Sequence, residues 1–143
     1  MKSTYSKGAL LGAIVLVVLL GMNAAQGATS KSFSETNSNQ VASVKIGSQI
    51  SLTLHSMYWT LAKQSKTSSL TAKGAPVLKP IFPGPTAPHG CSIAGSGCGT
   101  QTWKFVASKV GTTHLIATRT TCGEAMRCID ANGRFEVTVK VSG

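Results

Sequence analysis

Four cysteines and a glycine-rich run are the residues whose types and spacing bear most directly on chemistry. The cysteines are Cys91, Cys98, Cys122 and Cys128, and the run reads Gly95-Ser-Gly-Cys-Gly99. Three uses are open: a phosphate cradle, a metal knuckle, or a loop displayed to another protein. A phosphate-binding glycine motif follows a strand and opens a helix, whose N-terminus holds the anion. Here the glycines precede an alternating run that contains Trp103, Phe105 and Ala107, and no Gly-Lys-Ser or Gly-Lys-Thr accompanies them. The cradle is excluded. A zinc knuckle spaces its cysteines by about two to four residues. The gaps in this chain are six residues (91 to 98) and five residues (122 to 128), and His89 alone does not complete a ligand set. No metal and no cofactor is expected.

Catalysis has few groups to draw on. The carboxylates are Glu35, Glu124, Asp130 and Glu136, and the histidines are His55, His89 and His114. Glu136 alternates with apolar neighbours and should face solvent, as should His114. Glu124 and Asp130 share one loop with nothing to place a substrate between them. No Gly-x-Ser-x-Gly elbow is present. A cysteine nucleophile needs a free thiolate, which full pairing of the four cysteines removes. The chain reads as a binder and not an enzyme.

An even cysteine count in an exported chain reads as two disulfides. The amino terminus supports export. Lys2 and Lys7 precede an apolar run over residues 9–21, and small residues follow through Ala25, Gly27 and Ala28. That is the form of a secretory signal peptide spanning residues 1–27, and its apolar run is shorter than the ~20 residues a membrane span needs. A secreted or periplasmic protein without a stable membrane anchor is expected. Four cysteines allow three pairings. The local pairs, Cys91–Cys98 and Cys122–Cys128, are favoured because each closes a short loop, with cross-pairing between the loops as the rival.

Removing the two signal lysines leaves 12 basic against 4 acidic residues, a net charge of +8 on about 115 residues. That length suits one domain with one core. The lysines are scattered and lack interleaved aromatics, so no nucleic-acid partner is expected. Such a solvated cationic surface leaves weak attraction to acidic partners available.

The elements that must hold these residues are strands. Residues 28–40 are rich in Ser, Thr and Asn and read as a flexible leader; a single domain is expected over residues 41–143. Val44 and Ile46, then Ile50, Leu52 and Leu54 beyond a Gly47-Ser48 turn, recur at a spacing of two. Tyr58, Trp59 and Leu61 suggest a short strand. Residues 65–74 are polar and loop-like. Pro76 and Pro80 confine the segment 76–82 to a sheet edge. Residues 83–99 are irregular. Alternation returns over residues 100–107 and 113–118, and closes with Phe135, Val137, Val139 and Val141. Six or seven short strands without a helical period argue for an all-β, antiparallel β-sandwich.

The stretch Gly95-Ser-Gly-Cys-Gly-Thr-Gln-Thr-Trp-Lys-Phe-Val-Ala-Ser-Lys-Val-Gly-Thr-Thr-His-Leu115 resembles the middle of the chagasin-like inhibitors of papain-type cysteine proteases. A glycine-rich loop, a strand ending in an aromatic and an alanine, a Lys-x-Gly turn and a Thr-rich strand follow in the family's order. The resemblance implies an immunoglobulin-like sandwich that presents three loops at one end. It also implies a monomeric inhibitor that wedges those loops into a papain-like cysteine protease without being cleaved. The protease-contacting residues would be His55, Tyr58 and Trp59 in the first loop, Gly95, Gly97, Cys98 and Gly99 in the second, and Arg119, Thr120 and Thr121 in the third. Two family motifs are replaced. Asn-Pro-Thr-Thr-Gly is absent before Tyr58-Trp59, and Arg119 is followed by Thr120-Thr121 where the family carries Pro-Trp. The alternative is a secreted, disulfide-stabilised immunoglobulin-like domain that binds a non-protease protein or a surface ligand.

Overall fold

The structure, a computed structural model, describes residues 29–63, 68–123 and 126–143. The expected signal peptide and Glu124 lie outside the described residues. The strands run β1 (Ser30–Phe33), β2 (Gln40–Lys45), β3 (Gln49–His55), β4 (Thr60–Leu61), β5 (Leu70–Ala72), β6 (Val77–Pro80), β7 (Gly99–Ala107), β8 (Gly111–Thr118), β9 (Thr121–Gly123), β10 (Met126–Arg127) and β11 (Arg134–Ser142). Two 3-10 turns, Glu35–Asn37 and Asp130–Gly133, are the only helical pieces among the described residues.

Two sheets face one another. One has the order β1-β3-β7-β5, with β6 also pairing β7; the other has the order β2-β11-β8-β4. The inward positions are those the alternation marks. Ile50, Leu52 and Leu54 meet Trp103, Phe105 and Ala107 in one sheet, and Leu115, Ala117, Phe135, Val137, Val139 and Val141 fill the other. Full burial of each large aliphatic or aromatic side chain contributes about 1.5–3 kcal/mol. The core is therefore the main source of the fold's stability. Ile46 departs from the pattern: it lies just past β2 and is 48 % exposed, because the turn at Gly47 (φ +85°) ends the pairing before it.

Three expectations are corrected. Residues 30–40 are not a flexible leader. β1 pairs in parallel with β3, and Phe33, opposite Leu52, is buried in the core. The chain then crosses between the sheets, and β2 pairs in parallel with β11. The sandwich is therefore mixed, not wholly antiparallel. A spacing of two says which residues point inward but not which way a neighbouring strand runs. Lastly, the polar stretch expected as loop contains β5, because Leu70 buries opposite Ala107 and one anchor is enough on a short edge strand.

Candidate functional site

Three connections meet at the end of the sandwich marked by His55, Gly99 and Thr118: residues 56–59 from β3 to β4, residues 81–98 from β6 to β7, and residues 119–133 from β8 to β11. His55 lies opposite Thr100, and Thr118 pairs with both Thr60 and Arg134. The sheet register thus delivers all three connections to one end.

The first and second connections are laced by backbone bonds. Ser56 N–H donates to Gly99 O at 2.9 Å and Met57 N–H to Gly97 O at 2.7 Å. Gln101 Nε2 reaches back to Met57 O at 2.6 Å, and the Tyr58 hydroxyl donates to Gly95 O. Ser56 takes φ +125°, a conformation rare for a residue with a side chain, held by these bonds on either side. Two glycines are required by close approach. A Cβ on Gly97 (φ +65°) would fall 2.1 Å from Tyr58 Cε2, and one on Gly99 (φ +139°) would fall 2.5 Å from Lys79 O.

The third connection is tied to the first through Arg119. Its guanidinium sits 4.6 Å above the Trp59 ring centroid, and its Nε donates to Asn132 O at 2.8 Å. The Trp59 indole N–H donates to His55 O at 3.0 Å. Glu35 completes the cluster from the amino-terminal segment. Its carboxylate accepts from the His55 backbone N–H and lies 3.0 Å from His55 Nδ1. Burial pushes the Glu35 carboxyl up, but the hydrogen bonds from His55 outweigh it and hold it below the ordinary value. Partial burial lowers the Arg119 guanidinium, and the Glu35 charge opposes that shift.

Both disulfides lie in these connections: Cys91–Cys98 in the second and Cys122–Cys128 in the third. The local pairing is the one observed. β9 and β10 form a small hairpin inside the third connection, closed by Cys128 N–H to Thr120 O at 2.9 Å. Between the connections runs an open cleft of about 390 Å³, lined by His55, Ser56, Gly97, Cys98, Arg119 and Cys122 among others.

The expected contact residues divide into two groups. His55, Gly95 and Thr120 are exposed, and Tyr58, Gly97, Cys98, Arg119 and Thr121 are half-buried. Trp59 and Gly99 are buried. Trp59 is core that carries Arg119 on its face, and Gly99 is the close-packed first residue of β7. Residue type alone also passes over several exposed groups. Phe82 is 77 % exposed, Ile93 57 %, Met126 63 % and Ile129 69 %. The available signal was a large apolar residue outside any alternation, within a Pro/Gly-rich or disulfide-closed loop. Residue type likewise passes over Glu35, which sits in the stretch that reads as a flexible leader.

All four cysteines are paired. Among the described residues, the His55 ring bonds only Glu35, with no hydroxyl or thiol positioned for activation. No group of His, Cys, Asp and Glu capable of holding a metal occurs among the described residues.

The described residues thus form an immunoglobulin-like sandwich that presents three interlocked connections at one end, two of them closed by disulfides. No family model and no curated protein sequence matches the chain. The structure is similar to the crystal structure of the cysteine protease inhibitor EhICP2 from Entamoeba histolytica. That likeness has a TM-score of 0.55 at 11 % identity and covers 81 % of this chain and 98 % of the other. The solution structure of amebosin is similar too, with a TM-score of 0.51 at 14 % identity over 81 % of this chain and 100 % of that one. The fold is the chagasin-type immunoglobulin-like sandwich.

Proposed function

We propose that the chain is an exported inhibitor of papain-like cysteine proteases that blocks the active-site cleft with the three connections at its loop end. The observation that carries this reading is the interlocking of those connections on a fold similar to that of a cysteine protease inhibitor. Ser56, Met57, Tyr58 and Gln101 hold the first connection against the second, and Arg119 holds the third against Trp59. A surface ordered before binding loses little entropy on association. Phe82, Ile93, Met126 and Ile129 supply exposed apolar anchors of the kind that dominate interface energy.

Inhibition by occlusion uses no nucleophile and no cofactor, and the paired cysteines fit that mode. Two disulfides suit an oxidising compartment, and among the described residues no helix is long and apolar enough to cross a membrane. The disulfides accord with export.

The test is a titration of the oxidised chain, freed of residues 1–27, against papain and a panel of cathepsins. Tight, reversible inhibition with the chain left intact is the expected result. No inhibition at micromolar concentrations, or steady cleavage of the chain, would retire this reading in favour of a binding domain for a non-protease partner.

A further inference from the structure

A second surface lies on the face of one sheet, apart from these loops. On the outward face of the β1-β3-β7-β5 sheet, the register sets one row of side chains across four strands. Ser32 lies opposite Ser51, and Ser51 opposite Lys104. The pairing of Ala72 with Phe105 and the bond from Lys73 N–H to Lys104 O bring Lys73 opposite Lys104. Like charges directly opposed on neighbouring strands destabilise a sheet. Among the described residues no carboxylate pairs with either lysine. The ion pairs described join His55 to Glu35, and His114 and Arg134 to Glu136.

The row borders a groove of about 450 Å³ lined by Ser30, Lys31, Gln49, Ser51, Lys73 and Lys104, with no acidic residue in its lining. Lys31, Lys73 and Lys104 are all exposed. Lys104 stands five residues from Gly99 along β7, about 17 Å at the rise of an extended strand, so the groove is separate from the loop cleft.

We propose that this groove binds an anionic polysaccharide, one bearing sulfate or carboxylate groups along its chain. Lys73 and Lys104 stand on the outward row, and Lys31, opposite Ile50 on the edge strand β1, lines the groove from the sheet edge. With the hydroxyls of Ser30 and Ser51 and the amide of Gln49 they offer both the charges and the hydrogen bonds such a polymer needs. Nucleic acid is disfavoured because the only aromatic in the lining, Phe105, is 1 % exposed and has no face free for a base. A membrane surface is disfavoured because none of the large exposed apolar side chains lines this groove; Val77, the one on the same face, lies opposite Thr102 beyond it. The inference does not depend on the inhibitor reading. It gives the protein a tether that leaves the loops free.

Heparin is the probe, with binding measured by titration at about 0.1 M salt and by elution from a heparin column. The triple variant Lys31→Gln/Lys73→Gln/Lys104→Gln should bind roughly tenfold more weakly, the combined effect of three exposed charge contacts. A control of equal net charge, Lys45→Gln/Lys63→Gln/Lys140→Gln, should stay within about twofold, since only weak long-range attraction is lost. Lys73→Glu adds a second signature. It should raise the melting temperature by about 1–4 °C by turning an opposed like pair into an opposite one, while weakening heparin binding. Equal losses in the two triple variants would overturn the proposal, as would no heparin binding by the parent. Binding to phosphatidylserine vesicles or duplex DNA as tight as to heparin would overturn it as well. Titration against papain in the presence of heparin reads the loop site separately.

Discussion

The Tyr58 ring lies directly over Gly97, so close that a single added carbon on the glycine would stand 2.1 Å from Tyr58 Cε2. The contact joins the first connection to the second. It makes Gly97 a packing residue within the loop end.

Gly97→Ala should therefore expel the Tyr58 ring and break the hydrogen bond from its hydroxyl to Gly95 O. Positive φ adds strain, and the total cost should be about 1–3 kcal/mol. Because the core is remote, the chain should still fold while inhibition falls tenfold or more. Tyr58→Phe, which removes only the hydrogen bond, should cost about 0.5–1.5 kcal/mol. Thermal melts and papain titrations of both variants check this; equal inhibition by Gly97→Ala and the parent would show that the second connection makes no contact. Gly99 is no substitute for this test, because a side chain there meets the Lys79 backbone and disturbs β7 itself.

Arg119→Ala removes the cation above Trp59 and the bond to Asn132 O together. The expected loss is about 1–2 kcal/mol. Arg119→Lys should not restore it, because an ammonium cannot lie flat on the indole while donating sideways to the carbonyl. Differential scanning calorimetry of the two variants checks the magnitude, and Trp59 fluorescence checks the contact.

The disulfides should separate stability from function. Cys91–Cys98 and Cys122–Cys128 each close a loop of sequence separation 7 or 6 at the end of the sandwich, and neither joins the two sheets. Replacing both cysteines of one pair with serine should cost about 2–3 kcal/mol on the loop-entropy account. The β-sheet circular dichroism should survive, while inhibition weakens steeply as the loop loses its fixed shape.

Phe82→Ser should leave the melting temperature within about 1–2 °C, since the residue is already 77 % exposed. If Phe82 anchors the partner, inhibition should weaken by tenfold or more, the scale of about 1.4 kcal/mol. An unchanged inhibition constant would move the anchor to Ile93, Met126 or Ile129.

Acid should loosen the amino-terminal latch. The Glu35 carboxyl lies below its ordinary 4.5 in the folded chain, held there by His55 against the opposing effect of burial. Its contribution is thus complete above 4.5 and is lost as pH falls through the lower folded value. Glu136 is likewise held low by Arg134 and His114, but it is common to parent and variant and cancels in the comparison. Glu35→Gln should flatten the acid limb of the stability profile by less than about 1 kcal/mol, the range for a partly exposed pair. Chemical denaturation between pH 3 and pH 6 reads it; parallel profiles for parent and variant would dismiss the latch.

Much of the sandwich was legible along the chain. The spacing of two in Ile50, Leu52 and Leu54, in Trp103, Phe105 and Ala107, and in Phe135, Val137, Val139 and Val141 states which residues are buried, because a strand turns successive side chains to opposite faces. The cysteine count, an amino terminus with the form of an export signal and short spacing pointed to two local bridges, and those bridges are present. The glycine run and Arg119 could be assigned to loops at one end once their resemblance to a known family was seen.

Other features belong to the tertiary structure alone. Phe33 joins the core, and β1 and β2 add parallel edges to the two sheets, because pairing partners far apart in the chain are set by closure of the whole sandwich and leave no local period. Trp59 is buried under Arg119 while Phe82 stands in solvent, although both are aromatics beside loops; only the paths of the neighbouring strands distinguish them. Alternation along a strand is a property of the chain itself and can be read from it. Which side chains meet across strands, such as Tyr58 on Gly97 or Lys73 beside Lys104, follows from register between distant segments, and that is decided only when the two sheets pack.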